Sequence, residues 1–181
     1  MSPIIKLQGK GINRIIKSNV ILSPLAGVTD KTFRKLVRKW APNSLLFTEM
    51  INATSFKMGY GTNKLTQIEF EEGPVGVQIF DNRPFAVSEA AIQAEDSGAF
   101  LIDINMGCPV KKIARKGGGS ALLKDPELAI EIVKRVSESV QIPVTVKTRL
   151  GWDNKNENIE EFLLRLQDAG AKMITLHGRT R

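Results

Sequence analysis

Four polar side chains stand near the ends of four short apolar segments: Gln78 in VGVQIF, Asn105 in FLIDIN, Lys147 in VTVKTR and His177 in MITLH. If each segment is a strand, alternation with period two puts its apolar residues on one face and these polar residues on the other. A buried polar group costs free energy unless it is paired, so four on one face predict a binding site. An amine and two amides suit a planar heterocycle with carbonyl edges that gains negative charge on reduction. Taken singly, each residue also has a structural explanation, such as a hydrogen-bonded core histidine.

The only cysteine of the chain, Cys108, lies three residues after Asn105 on a Gly-Cys-Pro turn. Free cysteine is often buried as a small hydrophobic residue, and that interpretation stays open here. A turn of this kind is, however, a poor core position, and Asn105 is predicted to face the site. A thiol is mostly protonated at neutral pH, so Cys108 could donate a proton as well as act as a nucleophile.

The segments that position these residues alternate between strand and helix patterns. Strands are predicted over residues 19–27, 44–50, 74–80, 100–107, 143–151 and 173–179. Helices are predicted over 30–40, 84–97, 126–139 and 159–169. Such alternation indicates βα units with a parallel sheet, either a doubly wound sheet or a barrel. No G-x-G-x-x-G follows the first strand, and barrel enzymes carry their sites at the carboxyl ends of strands. We therefore predict an α/β fold of the (β/α)8 TIM-barrel type, incomplete, with about six of eight βα units.

The first predicted helix is amphipathic by its spacing. Phe33, Leu36, Val37 and Trp40 share one face, and five cations occupy the other.

The composition excludes several classes of protein. No apolar run is long enough to span a bilayer, and the first residues lack the pattern of a signal peptide. One cysteine cannot form an internal disulfide, and with one histidine it cannot complete a structural zinc site. We therefore expect a cytoplasmic protein without a membrane segment or a metal.

Positive charge is concentrated in two regions of the sequence. The net charge is +7, and residues 1–40 hold nine lysines and arginines against one acid. Lys111, Lys112 and Arg115 precede three glycines in a second basic segment, residues 110–126. Both regions could bind the phosphates of a nucleic acid, or they could be solvated surface and, over 110–126, a mobile loop.

Four ordered motifs give the sequence its resemblance to a known family. SPLAGVTDKTFR, INMGCPVKKIARKGGGSALL, VKTRLGW and HGRTR resemble signatures of the tRNA-dihydrouridine synthases, from about residue 18 to the end. The first motif and KMGYGT are most similar to the bacterial B-type branch.

The resemblance implies an FMN enzyme that reduces the C5–C6 double bond of particular uridines in tRNA, with NADPH as hydride donor. Cys108 would then be the general acid that protonates C5 as hydride reaches C6 from the reduced flavin. The implied flavin-binding residues are Pro24, Leu25, Ala26, Gln78, Lys147 and His177. The implied substrate-binding residues are Asn105, Arg149, Lys111, Lys112 and Arg115.

The resemblance also implies that residues 1–181 are the N-terminal part of a flavin-binding barrel. The last barrel strands and a helical tRNA-binding domain would be absent. Two alternatives remain open: an FMN barrel that acts on free pyrimidines or other small molecules, and an inactive RNA-binding fragment.

Overall fold

The computed structural model describes residues 4–57, 68, 73–153 and 159–181. From Met58 onward, the KMGYGT segment used for the B-type resemblance lies outside these residues.

A parallel sheet forms the centre of the described structure. Its strands are β3 (Leu46–Phe47), β4 (Ile51–Asn52), β5 (Val75–Phe80), β6 (Ile102–Met106), β7 (Val144–Arg149) and β8 (Met173–His177). The order is β3-β5-β6-β7-β8, and β4 pairs with β5 beyond the end of β3. The predicted α/β fold, an incomplete barrel of parallel strands, is confirmed.

Helices connect the strands. They are α1 (Lys31–Trp40), α2 (Ala53–Lys57), α3 (Pro84–Asp96), α4 (Lys111–Ala114), α5 (Pro126–Ser139) and α6 (Ile159–Asp168), with a 3-10 helix at Gly119–Lys124. Local sequence explains where α5 begins, because the Asp125 carboxylate accepts a hydrogen bond from the Leu128 N–H and Pro126 needs no partner for its nitrogen.

The two faces of each strand enter different environments, as the period-two pattern predicts. Val77 and Ile104 lie on the outer face, in the large cluster formed with the buried sides of α3, α5 and α6. Asp103 and Asn105 lie on the inner face. The inside of the barrel is therefore polar near the carboxyl ends of the strands.

An N-terminal hairpin that the sequence did not predict closes the opposite end of the sheet. Strands β1 (Ile5–Leu7) and β2 (Arg14–Ile16) pair in antiparallel register. Their residues Leu7 and Ile16 pack with Leu45, Phe47 and Leu101 in a second apolar cluster. Three-residue strands carry too weak a periodic signal to be recognised in the sequence.

The strand predicted over residues 19–27 is wrong. The structure has a single parallel bridge there, between Ile21 and Leu45, with the Leu22 N–H donating to the Leu45 carbonyl over 3.0 Å. Pro24 has no N–H to continue a ladder, and the chain turns where Thr29 N–H donates to the Leu25 carbonyl over 3.0 Å. The segment is therefore a loop that passes over the inner face of the sheet.

The two faces of α1 do not divide cleanly into a buried apolar face and an exposed cationic one. Leu36 is 53% exposed and Trp40 is 86% exposed, whereas Arg34 is only 2% exposed. The Arg34 guanidinium donates to the Thr29 carbonyl over 2.7 Å, and that of Arg38 donates to the carbonyls of Pro42, Ser44 and Pro74. These carbonyls lie at turns and strand ends, so the guanidinium groups turn toward the protein and leave apolar side chains in solvent.

The basic N-terminal region is therefore partly structural. Besides Arg34 and Arg38, Arg14 donates to the Phe100 carbonyl and stacks over that ring, and Lys10 donates to the Glu138 carbonyl. Because these cationic groups bind carbonyls of the protein itself, they give only weak support to a polyanion-binding site at residues 1–40.

The outer cluster should carry much of the stability of the fold. We expect Ile104→Ala to lower the free energy of unfolding by about 2–5 kcal/mol, because the side chain is buried between strands and helices and would leave a cavity. Ile15→Ala, which truncates an exposed isoleucine of the hairpin, is the control and should change it by less than about 0.5 kcal/mol. Urea unfolding of both variants measures this; equal losses would contradict the assignment of the core.

Candidate active site

A cavity of about 550 Å³ opens at the carboxyl ends of the parallel strands. Nine of the residues predicted for the site line it: Pro24, Leu25, Ala26, Gln78, Asn105, Cys108, Lys147, Arg149 and His177. The volume is within the usual range for a small-molecule or cofactor site. The structure thus brings together residues from four strands and two loops.

Strand register explains why these side chains meet. Asn105 of β6 is the neighbour of Lys147 on β7, and Arg149 of β7 is the neighbour of His177 on β8. Because neighbours in a parallel ladder point to the same face, each pair projects into the cavity. Gln78 is paired with Asp103, one step deeper than Asn105.

A chain of hydrogen bonds runs from the barrel interior to the cysteine. The Gln78 amide nitrogen donates to Asp103 Oδ2 over 2.6 Å, and the Asn105 amide nitrogen donates to Gln78 Oε1 over 2.8 Å. Asn105 Oδ1 then accepts from the N–H groups of Gly107 and Cys108 over 3.1 and 2.9 Å. We call Asp103, Gln78 and Asn105 the amide relay.

The carboxylate sets the direction of the relay. An ionised carboxylate can only accept hydrogen bonds, so Gln78 must turn its NH₂ group toward Asp103 and its oxygen toward Asn105. Asn105 in turn must present its oxygen to the backbone of the cysteine loop. The order of donors and acceptors therefore follows from the single charge at Asp103.

Asp103 is almost completely buried, and burial raises its pKa to about 6. Hydrogen bonds from Thr145, over 2.6 Å, and from Gln78, together with the positive charge of Lys147, oppose that rise. The group is consequently ionised for the most part at pH 7, and it is held so by its partners.

The backbone of Cys108 is held on both sides. Its N–H donates to Asn105, and its carbonyl accepts from the Ser120 N–H over 3.0 Å. Gly119 makes this approach possible, since its φ is +60° and a Cβ there would lie 2.8 Å from the Cys108 carbonyl oxygen. The backbone that carries the Cys108 side chain is therefore held in place at the edge of the cavity, and the side chain is partly exposed.

Three cationic or titratable groups line the cavity from β7 and β8. Lys147 is half-buried, and burial lowers its pKa, with Asp103 opposing the effect and Arg149 adding to it. His177 is exposed at the end of β8; slight desolvation and the charges of Arg149, Lys147 and Arg179 lower its pKa. Arg149 donates to the carbonyls of Gly107 and Thr180 over 2.6 and 2.9 Å, which ties the cysteine loop to β7.

The predicted substrate-binding residues of the basic segment 110–126 lie outside this cavity. Lys111, Lys112 and Arg115 are exposed, and Lys112 lines a second cavity. Their segment contains α4 and a 3-10 helix, where the sequence had indicated only a loop.

Sequence reasoning missed two participants in the site. Asp103 shares a strand face with Asn105 by the period-two pattern but was given no role, although a charged residue within an apolar strand was a usable signal. Met50, whose sulfur lies 3.8 Å from the Asn105 amide nitrogen, gave no signal at all.

Within the described residues, no group of three or more potential ligands could hold a metal ion. The same part of the chain contains no helix long and apolar enough to cross a bilayer.

Comparison with known proteins identifies the family. The profile described as dihydrouridine synthase (Dus) matches residues 21–181. The chain belongs to the dihydrouridine synthase family. It is 54% identical over 166 residues to the probable tRNA-dihydrouridine synthase 1 of Synechocystis, covering 92% of this chain and 47% of that protein.

Two further relatives of this dihydrouridine synthase chain extend the comparison. It is 41% identical over 171 residues to tRNA-dihydrouridine synthase B of Vibrio cholerae, covering 93% of this chain and 52% of the relative. It is 39% identical over 168 residues to the probable tRNA-dihydrouridine synthase of Rickettsia bellii, covering 92% and 51%. The chain thus spans about half the length of the curated relatives it matches.

The buried carboxylate predicts a specific pH dependence. The folded-state pKa of Asp103, about 6, lies above the ordinary aspartate value of 3.8, so its ionisation costs stability as pH rises through that interval. Asp103→Asn removes this cost. We expect its free energy of unfolding, relative to the wild type, to rise by about 2 kcal/mol between pH 4 and pH 7. Urea unfolding across that range measures the difference, and a constant difference would contradict the raised pKa.

Proposed function

We propose that this dihydrouridine synthase reduces the C5–C6 double bond of uridines in tRNA to dihydrouridine, with FMN as cofactor and NADPH as reductant. Uridine gains a hydride at C6 and a proton at C5, and NADPH becomes NADP⁺. The observation that carries the proposal is the position of Cys108, whose backbone is held by Asn105, at the edge of a cavity lined by Lys147, Gln78 and Asn105.

Cys108 is the proton donor in this proposal. Its backbone is clamped between Asn105 and Ser120, so the side chain has little freedom to leave the edge of the cavity. A general acid needs this kind of placement, because proton transfer requires the donor within hydrogen-bonding reach of the reacting atom. After the transfer, the thiolate recovers a proton from solvent, to which the partly exposed side chain has access.

The cavity residues fit the isoalloxazine ring of FMN. When bound, FMN would supply the hydride for C6 of uridine. Lys147 would sit at the N1–O2 edge, where its charge favours added electron density. Gln78 uses one amide hydrogen for Asp103 and has a second for the ring. The backbone of Pro24, Leu25 and Ala26 would line the ring, and the neutral imidazole of His177 would lie against flavin or uracil.

Asn105 and Arg149 would contact the uracil. Arg149 Nε and Nη1 donate to backbone carbonyls, which leaves Nη2 for a base carbonyl. Both Asn105 amide hydrogens have partners, but one goes to the Met50 sulfur over 3.8 Å. A thioether is a weak acceptor, so a uracil carbonyl could replace it at low cost.

The target uridine must leave its stack to reach the cavity, as bases do in other enzymes that modify them. Lys111, Lys112 and Arg115 lie on the segment that follows Cys108 and would hold phosphates near the extruded base. In the whole protein, we propose that the rest of the barrel and a helical tRNA-binding domain complete the substrate site. We propose a cytoplasmic location, where tRNA is available.

Two alternatives give different results in the same assays. A barrel that acts on free pyrimidines would turn over dihydrouracil or dihydroorotate without RNA. A non-catalytic RNA-binding protein would bind tRNA in a salt-dependent manner, contain no flavin and be unaffected by Cys108→Ala.

Removing the Cys108 thiol should impair uridine reduction while leaving reduction of the flavin by NADPH intact. In the full-length protein, we expect Cys108→Ala to slow dihydrouridine formation by about 10²–10⁴-fold, because the general acid is lost. Reduction of the bound flavin by NADPH, followed by its absorbance, should persist and serves as the control for folding. Dihydrouridine formed at an undiminished rate would show that Cys108 is not the acid.

Flavin content tests the cofactor assignment. We expect Lys147→Gln to retain less FMN than the wild type, or to be reduced more slowly by NADPH, since a charge at the ring edge is lost. FMN released by denaturation is measured by fluorescence against protein concentration. Lys172→Gln, at an exposed lysine before β8, is the matched control. If the two variants behave alike, Lys147 does not contact the flavin.

A further inference from the structure

A second cavity, of about 380 Å³, lies beside the first. One segment forms a wall of each: Cys108 and Pro109 line the first cavity, and Lys112, Lys116 and Gly118 line the second. The opposite wall comes from the end of β5 and the residues that follow it, together with α2 and the end of β4. The cysteine segment, residues 108–118, therefore contributes to both cavities.

The second cavity has an excess of positive charge. Arg83, Lys112 and Lys116 line it, and Asp81 is the single acid among the described residues of its lining. Among the described residues, neither Lys112 nor Lys116 forms a salt bridge with an acidic side chain. Both amines are exposed and can reach a ligand at the opening.

Asp81 is occupied with structural contacts. Its carboxylate accepts from the backbone N–H and hydroxyl of Thr54, from the backbone N–H of Asn82, and from Nε and Nη2 of Arg83. Burial alone would raise the pKa of Asp81, but these hydrogen bonds hold it below its ordinary value. The carboxylate thus orients Arg83 at the cavity, and it neutralises only one of the three cations.

The cysteine segment is packed closely against this wall. Gly117 has a φ of +82°, and a Cβ there would lie 2.8 Å from the Asn82 amide nitrogen. Ile113 and Phe80 add apolar surface to the cavity. A basic opening with amide donors and an aromatic edge suits a phosphate with part of its nucleotide.

We propose that this second cavity binds the backbone phosphate of a nucleotide that flanks the reduced uridine. The inference rests on the proposed function and adds a position to it. A uridine in the first cavity carries its chain across the cysteine segment, which brings a flanking phosphate to Lys112 and Lys116. The phosphates of NADPH have the same chemistry and are the competing source, which the experiment separates.

The test compares Lys112→Gln/Lys116→Gln with Lys134→Gln, an exposed lysine of α5, in the full-length holoenzyme. Affinity for tRNA is measured across a salt series, and the KM for NADPH is measured by flavin reduction. We expect the double variant to lose about tenfold in tRNA affinity and about one unit of salt slope, since one phosphate contact is lost. Lys112→Arg/Lys116→Arg should retain the tRNA affinity and the salt slope of the wild type. The KM for NADPH should be unchanged in both double variants.

A modified RNA locates the contact. A tRNA with a neutral methylphosphonate at a linkage flanking the target uridine should bind the wild type about tenfold more weakly, and the double glutamine variant should lose nothing further. The proposal would be overturned if, at both flanking linkages, the loss caused by the methylphosphonate simply added to the loss caused by the double glutamine variant. It would also be overturned if the double glutamine variant bound unmodified tRNA as tightly as Lys134→Gln does. A raised KM for NADPH with unchanged tRNA affinity would assign the cavity to NADPH instead.

Failure of this proposal is distinguishable from failure of the proposed function. If the wild type makes dihydrouridine while the double variant binds tRNA normally, only the phosphate position is wrong. If the wild type makes none with any tRNA, the proposed function itself is wrong.

Discussion

Asp103 places a carboxylate inside the barrel, almost out of contact with water, and the arrangement of the site follows from the cost of that burial. The charge is stabilised by donors from Gln78 and Thr145 and by the nearby ammonium of Lys147. Each donor is committed by this contact, so Gln78 and then Asn105 have only one orientation that satisfies all partners. A single buried charge thereby fixes side chains on β5 and β6 and the backbone of the loop after β6.

The rigidity of the cysteine loop is the functional consequence. Asn105 holds the loop at the Cys108 N–H, Ser120 holds it at the carbonyl, and Arg149 holds the preceding residue. The residues proposed to bind flavin and base are thus linked to the proposed acid by hydrogen bonds rather than by proximity alone. If one hydrogen bond of such a network is lost, a buried polar group is left without a partner, which lowers the stability of the fold. The members of the network therefore depend on one another.

Much of the site could be predicted from the sequence. Period-two alternation in VGVQIF, FLIDIN and VTVKTR assigned the two faces of the strands correctly, and the carboxyl ends of parallel strands meet at one edge whatever the details. Less could be predicted where contacts between distant residues determine which side chains are buried. The α1 helix has the spacing of an amphipathic helix, but Arg34 and Arg38 find carbonyl partners in the protein, so Leu36 and Trp40 face solvent.

By itself, the sequence determined the class of fold, the polar residues at the strand ends and the position of the one cysteine, because these depend on local periodicity and chain order. Only the tertiary structure revealed three features: the hairpin at the amino-terminal end of the parallel strands, the loop in place of a first strand, and the amide relay. It also showed that the cysteine segment contributes to both cavities. These features depend on hydrogen bonds and packing between residues far apart in the chain, such as Thr145 with Asp103 and Arg38 with Pro74. No pattern within a single segment encodes those contacts.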